Sequence, residues 1–538
     1  MRVAIIASPY PLEEAPAPPL GITYVAAAFE AAGCEVKILD YIVSRYTPEK
    51  LAAELEAFKP DFVGAGSVTL NFPRAASIVE DAKKCWPSAV TAMGGPHVSF
   101  DVEDTLRKYP GIDVIFVGES EATIPEFVSV LRDRSAWHHV RGLAFRENGR
   151  IVRTGPREHI QDLDSLPLPA RHLLPVSRYL ALGFPVSIIT SRGCPYPCIF
   201  CQGRRMVGSK PRYRSPVKVV DEIEEILSYG FPRINFADDL FLSNQEHARS
   251  VCREILRRKL QFGWSAFSRV NTVDRETFRL MREAGCDAVS FGMESGNQEM
   301  LKRLRKGITL EQGRRAVAIC KEVGILPHAS FMAGLPGETL ETLQDSQRFA
   351  ESLDIIYGYH ILAPFPGTTI REEVDKYDLE ILTSDWSLYD ANRSVVRTSH
   401  LSAQDIERFV YDFEKTWMDA WKEMVDRYHK GTSSPEEYLR VYGHYRMEFT
   451  HKLLAQDLLE EHGRFPLNGI PGGAAADEKA LAERMAELTG SEPKLVSETL
   501  REYIEKGFIK ARTEGRHIRW FWTHNLKQDF GPFSPAAV

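Results

Sequence analysis

Short apolar runs of strand length alternate with helical stretches in two separate blocks of this 538-residue chain, and that alternation leaves few folds open. In the first block Val3–Ala7, Val36–Asp40, Phe62–Ala65, Val90–Met93 and Val114–Val117 read as strands, and Thr23–Ala32 as a helix of small residues closed by Gly33. Strands separated by helices pair in parallel through right-handed crossovers, which predicts a doubly wound α/β sheet over 1–140. Val3–Ala7 is too brief for a signal peptide and breaks at Pro9, so it reads as a buried first strand. Residues 141–181 form a bridge: a hairpin turning at Asn148-Gly149, then Leu163–Arg171, too rich in proline for a helix or a central strand. The alternation restarts over 182–395, where six strand–helix units predict an open, partial (β/α)6 barrel with its reactive groups at the C-terminal strand ends. Residues 396–470 are helical by pattern. Over 471–538, two helical stretches followed by Phe508–Trp522 predict a winged-helix-like end and a tail.

Composition narrows the function classes. The net charge of −7 gives no general reason to expect nucleic acid, which rewards a concentrated basic face. The second helix of the winged-helix-like end carries Lys494, Arg501 and Lys506, but also Glu492, Glu498, Glu502 and Glu505, and that acidity repels phosphate. No segment is apolar for the roughly 20 residues a membrane helix takes. Eight cysteines in so long a chain are no disulfide framework, so a reduced, cytoplasmic setting is expected. Five of them, Cys34, Cys85, Cys252, Cys286 and Cys320, stand singly in helical or strand patterns and read mostly as small buried hydrophobes.

The other three stand together. Cys194, Cys198 and Cys201 follow the first barrel strand on a loop tightened by Gly193, Pro195 and Pro197, and can wrap one metal centre. Structural zinc wants four protein ligands, and no further Cys or His lies within forty residues downstream. Zinc therefore needs a distant residue to close its site. A 4Fe-4S cluster held by three thiolates instead leaves one iron open to a chelating ligand.

The spacing CxxxCxxC, with the aromatic Phe200 inside it and a β/α barrel around it, resembles the radical SAM superfamily over roughly 182–370. The resemblance implies that Cys194, Cys198 and Cys201 are both metal ligands and catalytic. It implies S-adenosylmethionine (SAM) as co-substrate, cleaved to a 5′-deoxyadenosyl radical that takes hydrogen from an unactivated carbon. A low-potential donor such as flavodoxin or ferredoxin would supply electrons. The SAM contacts would come from Phe200 and from strand ends: Asp238 and Asp239, of which either could face the methionine ammonium, Arg269 for its carboxylate, Glu294 for ribose or ammonium, and Gly334 to Glu338 beside adenine. A solvated charge or a helix N-terminal carboxylate is the competing reading for any one of them.

The first sheet is similar to the cobalamin-binding domain that precedes this barrel in the B12-dependent branch of the superfamily. The matching pieces are Pro19-Leu20-Gly21, Gly64-Ala65-Gly66-Ser67, Gly94-Gly95-Pro96-His97 and Gly118-Glu119-Ser120-Glu121. Implied cobalamin contacts are Gly64, Gly66, Ser67, Thr69, Leu70, Asn71, Gly94, Gly95, His97, Gly118 and Glu119. Residues 8–21 contain no histidine, so cobalamin is expected without a histidine on cobalt, with Leu70 or Asn71 beneath it. His97 has an equal reading as a residue that hydrogen-bonds backbone near a helix start.

Together these features imply a cobalamin-dependent radical SAM C-methyltransferase acting on a small-molecule or peptide substrate. Two alternatives stay open: an oxidative cyclase resembling the anaerobic magnesium-protoporphyrin ester cyclase, and a non-enzymatic redox- or cobalamin-sensing regulator that binds DNA.

Overall fold

The computed structural model describes residues 1–11, 16–466 and 474–525. Its first sheet has the order β2-β1-β3-β4-β5-β6-β7, from β1 (Arg2–Ala7), β2 (Glu35–Asp40), β3 (Phe62–Gly66), β4 (Val90–Gly94), β5 (Val114–Phe116), β6 (Leu143–Glu147) and β7 (Arg150–Arg153). The first five strands are parallel. Val3, Ile5 and Ala7 enter the core on one face and Ala4 and Ile6 the core on the other, which is why these strands are continuous apolar runs. The hairpin of β6 and β7, set apart by sequence as a bridge, instead extends this sheet antiparallel from β5.

The second sheet opens with β8 (Val186–Ile188). A two-residue antiparallel ladder follows, β9 (Ser191–Arg192) on β10 (Arg212–Tyr213). Then come β11 (Arg233–Phe236), β12 (Gly263–Ser268), β13 (Cys286–Glu294), β14 (Leu326–Ala333) and β15 (Ile356–Ile361). Six strands, β8 and β11 to β15, pair in parallel in strict sequence order, the topology of a barrel left open after six units. Alternate residues such as Phe236, Trp264, Phe291 and Phe331 are buried. The intervening positions, including Asn235, Ser265, Ser290, His328 and Ser330, stay half-buried.

A small ladder of β16 (Glu380–Ile381) and β17 (Val396–Arg397) precedes the long helices Ala403–His429 and Pro435–Ala455. The end is a wing, β18 (Arg464–Pro466), β19 (Ile509–Glu514) and β20 (His517–Trp522), behind the helices Ala474–Thr489 and Pro493–Glu505. Sequence supplied two of the wing strands. The third, β18, is too short to carry a periodic signal of its own. Among the described residues no helix is long and apolar enough to cross a membrane.

A buried charge triad fastens β8 in place. Glu222 is fully buried and accepts from Arg171 Nη2 at 2.6 Å and from Arg214 Nη1. The same guanidiniums donate to the carbonyls of Ser187 (3.0 Å) and Ile189 (2.8 Å), so the charges hold the strand that launches the cysteine loop. Removing one member of such a group strands the others uncompensated at a cost of about 3–5 kcal/mol. Glu222→Gln is therefore expected to unfold at clearly lower urea concentration than the parent. Lys302→Gln, which loses only the exposed pair with Glu299, is expected to leave the midpoint nearly unmoved.

Candidate functional site

The β9–β10 ladder closes the base of a loop, 193–211, that carries all three clustered cysteines. Asp238, just after β11, is buried beneath it. Its carboxylate accepts from the Thr190 N–H (3.0 Å), the Thr190 hydroxyl (2.9 Å) and the Ser191 hydroxyl (2.6 Å). Burial lifts this carboxyl to about 6 against the pull of those donors. Asp238 thus holds the start of the loop, and Asp239 is the aspartate that reaches the cysteine segment, accepting from the Gly193 N–H at 3.3 Å. Gly193 sits at φ +113°, and a Cβ there would lie 2.9 Å from the Lys210 carbonyl, so only glycine lets the two arms of the loop pass.

Within the loop the Cys194 N–H donates to Gly208 O (3.1 Å) and the Ile199 N–H to Leu304 O (3.1 Å). All three thiols are free, Cys194 and Cys198 half-buried and Cys201 exposed. Burial pushes the Cys194 thiol up. The protein crowded around Cys201, exposed as the residue is, pushes its thiol up to about 11. Such thiols are neutral near pH 7 and become thiolates when a metal displaces the proton. Among the described residues no three His, Cys, Asp or Glu side chains gather closely enough to hold a single ion. Three thiols carried on one short loop are the donor set of a multi-iron cluster with one open corner.

Of the residues expected at SAM, Phe200 is half-buried with its ring 5.8 Å from Lys306 Nζ. Arg269 is buried against the cysteine loop. Glu294 adopts φ +65°, unusual for a side-chain-bearing residue, and pairs with the buried Lys306 at 2.7 Å. Lys306 was invisible to sequence reasoning, since a lysine between Arg305 and Gly307 reads as surface. Gly334 ends β14 at φ +84°. Glu338 is fully buried and accepts from the Gly334 (2.6 Å) and Leu335 (3.0 Å) N–H groups, and burial lifts its carboxyl to about 8. It braces the Gly334–Gly337 turn from behind.

A cavity of about 520 Å³ opens at the C-terminal ends of β1, β3, β4 and β5. Gly64, Gly66, Ser67, Asn71, Gly94, Gly95, Gly118 and Glu119 all line it, whereas Thr69, Leu70 and His97 do not. His97 stacks on Phe72 with ring centres 3.8 Å apart, and its Nδ1 lies 3.1 Å from the Thr69 hydroxyl. Burial holds its pKa below the usual range. Asn71 turns inward on its own loop, accepting from the Val68 N–H at 3.1 Å. Gly95, at φ +100°, brings two of the loops into contact: a Cβ there would stand 2.5 Å from Ser67 O. The hydroxyls of Ser8 and Ser67, both on the lining, are buried without a partner. Backbone-walled apolar space with unspent hydroxyls suits a large ligand that is apolar in body and amide-bearing at its edge.

The wall of this cavity is shared. Arg192, Met206 and Val207, from the cysteine segment, line it too. Arg192 donates to Glu119 (3.3 Å) and Glu121 (2.6 Å), and Arg212 grips Glu119 with both terminal nitrogens at 2.9 and 2.8 Å. Burial raises the Glu119 carboxyl, but these guanidiniums and the Ile160 N–H outweigh it and hold the group below its ordinary value. Gln202, beside Cys201, donates to Pro96 O (3.3 Å) on the cavity rim and to Pro366 O (2.6 Å). Sequence reading placed Glu119 at the cavity and missed this bond to the barrel. The only available hint was the position of Arg192 two residues before Cys194.

Comparison with known proteins follows the same division. Residues 14–128 match the family model of the B12 binding domain, and residues 188–350 that of the radical SAM superfamily. An uncharacterized methyltransferase of Pyrococcus horikoshii is 35% identical over 396 residues, 73% of this chain and 86% of the relative. The anaerobic magnesium-protoporphyrin IX monomethyl ester cyclase of Cereibacter sphaeroides is 30% identical over 378 residues, 67% of this chain and 61% of that protein. In fold, the chain is similar to the radical S-adenosylmethionine methyltransferase TsrM of Kitasatospora setae, solved with cobalamin and a [4Fe-4S] cluster. The TM-score is 0.62 at 22% identity, covering 77% of this chain and 85% of that one. The chain belongs to the radical SAM superfamily, in the branch that carries a B12-binding domain ahead of the barrel.

Proposed function

We propose that this protein is a cobalamin-dependent radical SAM C-methyltransferase. One observation carries the reading: the loop of Cys194, Cys198 and Cys201 and the cavity at the first sheet share a wall through Arg192, Met206 and Val207. Methyl transfer to a carbon needs the two reactive centres to meet one substrate, and a shared wall supplies that proximity. When bound, the cluster and SAM supply the radical chemistry that opens a C–H bond, and cobalamin supplies the methyl group drawn from a second SAM.

The chain's own residues would divide the work. Cys194, Cys198 and Cys201 hold the iron, and Asp239 and Glu294 offer carboxylates beside the loop to the methionine and ribose polar groups. The Gly334–Gly337 turn, braced by Glu338, offers backbone to the adenine. Residues 1–140 would hold cobalamin through Gly66, Ser67, Gly94 and Gly95, with Asn71 on the same cavity wall. The barrel, 182–395, would carry cluster and SAM; within 396–470, Asp457 and Glu461 reach Lys50 and Arg45 of the first domain, and within 471–538 Tyr503 reaches Ala181 just before the barrel. The bridging segment is 141–181. The half-buried inward row Asn235, Ser265, Ser290, His328 and Ser330 is the surface on which a small molecule or peptide would lie. A cytoplasmic setting and a flavodoxin- or ferredoxin-like donor suit an oxygen-sensitive cluster.

Anaerobic turnover with SAM, a low-potential reductant and candidate substrates is expected to yield S-adenosylhomocysteine and 5′-deoxyadenosine in equal amounts with methylated product. Formation of 5′-deoxyadenosine without S-adenosylhomocysteine would replace this reading by the cyclase one. Cys198→Ala is expected to abolish the brown absorption of the reconstituted protein. Gly193→Ala, which forces a Cβ against the Lys210 carbonyl, should cut its iron content by at least half. Glu121→Gln, which weakens the hold on Arg192, is expected to loosen cobalamin at least tenfold, equivalent to about 1.4 kcal/mol, in spectrophotometric titration.

A further inference from the structure

Arg269, at the end of β12, has each nitrogen of its guanidinium committed within the protein. Nε donates to Asn271 Oδ1 at 3.3 Å, Nη2 to the backbone carbonyl of Lys306, and Nη1 to the sulfur of Cys198 at 3.4 Å. The guanidinium plane lies 3.7 Å from the ring centre of Tyr196, within stacking distance, and the hydroxyl of that tyrosine accepts from Asn271 at 3.0 Å. Arg269 is 6% exposed. Its position is set from every side: by the cysteine loop through Tyr196 and Cys198, by its own turn through Asn271, and by the Lys306 segment, whose ammonium is neutralised by Glu294.

A cation with three of its five N–H groups spent on the protein is not held in place for a carboxylate. It is instead aimed at sulfur. A hydrogen bond and a positive charge at a cysteine sulfur favour the more negative, reduced form of an iron–sulfur cluster and so raise its reduction potential. Screening is slight where the guanidinium is buried, so the effect is not diluted by solvent. Lys306 and Glu294 cancel each other; of the charges on the cysteine loop, Asp239 holds the Gly193 side and Arg269 is in contact with the Cys198 sulfur.

We infer that Arg269 is a positioning residue that clamps the loop at Cys198 and tunes the cluster's reduction potential upward through that sulfur, rather than a ligand of the SAM carboxylate. The inference rests on the reading of the three cysteines as cluster ligands. It makes reduction by a modest donor easier, and it assigns carboxylate binding to other groups.

The test is an anaerobic redox titration of the full chain, followed by electron paramagnetic resonance without SAM, with iron and sulfide content measured on the same samples. For Arg269→Gln the reduced-to-oxidised ratio at the wild-type midpoint is expected to fall about tenfold, a shift of about 59 mV to more negative potential for a one-electron couple. Arg269→Lys keeps the charge and loses the fork, and its midpoint is expected to lie between the two. Should Arg269→Gln fail to retain iron, Asn271→Leu serves in its place. It withdraws one anchor and leaves the charge and all three cysteines, and is expected to shift the potential in the same direction by a smaller amount. A variant that keeps its iron with an unmoved midpoint overturns the inference, all the more if its affinity for SAM drops. Wild-type protein that takes up no cluster at all would overturn both this inference and the reading beneath it, and the iron and sulfide analysis separates the two failures.

Discussion

Arg192 stands two residues before Cys194, and its guanidinium ends between Glu119 and Glu121, which follow the last parallel strand of the other sheet. With Arg212 on Glu119, this buried lattice ties the wall of one ligand cavity to the base of the cysteine loop. Its arginines lie on β9 and β10, so it also holds closed the ladder from which the loop springs. The charges are almost fully removed from water, and such groups are tolerated when each has its partners and costly when one is lost. The lattice therefore favours one arrangement of the two halves more than it adds stability.

The same logic recurs one layer deeper. Asp238 gathers the amide and hydroxyl of Thr190 with the hydroxyl of Ser191, and Glu222 gathers Arg171 and Arg214 onto the backbone around Ser187 and Ile189. Each buried carboxylate is spent on backbone or side chains within a few residues of Cys194. Both ends of the loop that carries the thiols are thus held by polar contacts in low dielectric, where hydrogen bonds are strong.

How much of this was legible in sequence follows from how local each signal is. The strands of the first sheet were legible because burial on both faces writes an unbroken apolar run, and the six barrel units because strand-length and helical stretches alternate. The cysteine motif was legible because its three members lie within eight residues of one another. The glycine turns at 64–66, 94–95 and 118 were legible because strand ends facing a ligand need bare backbone. Non-local facts were not. That β6 and β7 join the first sheet depends on where the chain returns after Val140. The pairing of Glu119 with Arg192 spans 73 residues, and Arg269 reaches Cys198 across 71. Glu338 read as a SAM contact, with a helix N-terminal carboxylate as the competing reading, and only the fold reveals it as a buried brace. The helix Pro435–Ala455 was read only as part of a helical stretch, 396–470, because its tyrosines pack on neighbouring aromatics instead of forming a clean apolar stripe with bounds of its own.

The C-terminal region adds a second fastening. Arg178, on the helix just before β8, donates to Val43 O beyond β2 and pairs with Glu460, while Asp457 reaches Lys50 at 2.5 Å. Tyr179 donates to the buried Asp40 at 2.7 Å, and Tyr503 of the winged-helix-like end donates to Ala181 O at 3.0 Å. One fastening thus lies on the β2 side of the first sheet and the other on the β5 side, and along the barrel one precedes β8 and the other follows it. A hinge between the sheets would have to break buried charge pairs at one fastening or strain both. Substrate entry by domain opening is therefore disfavoured.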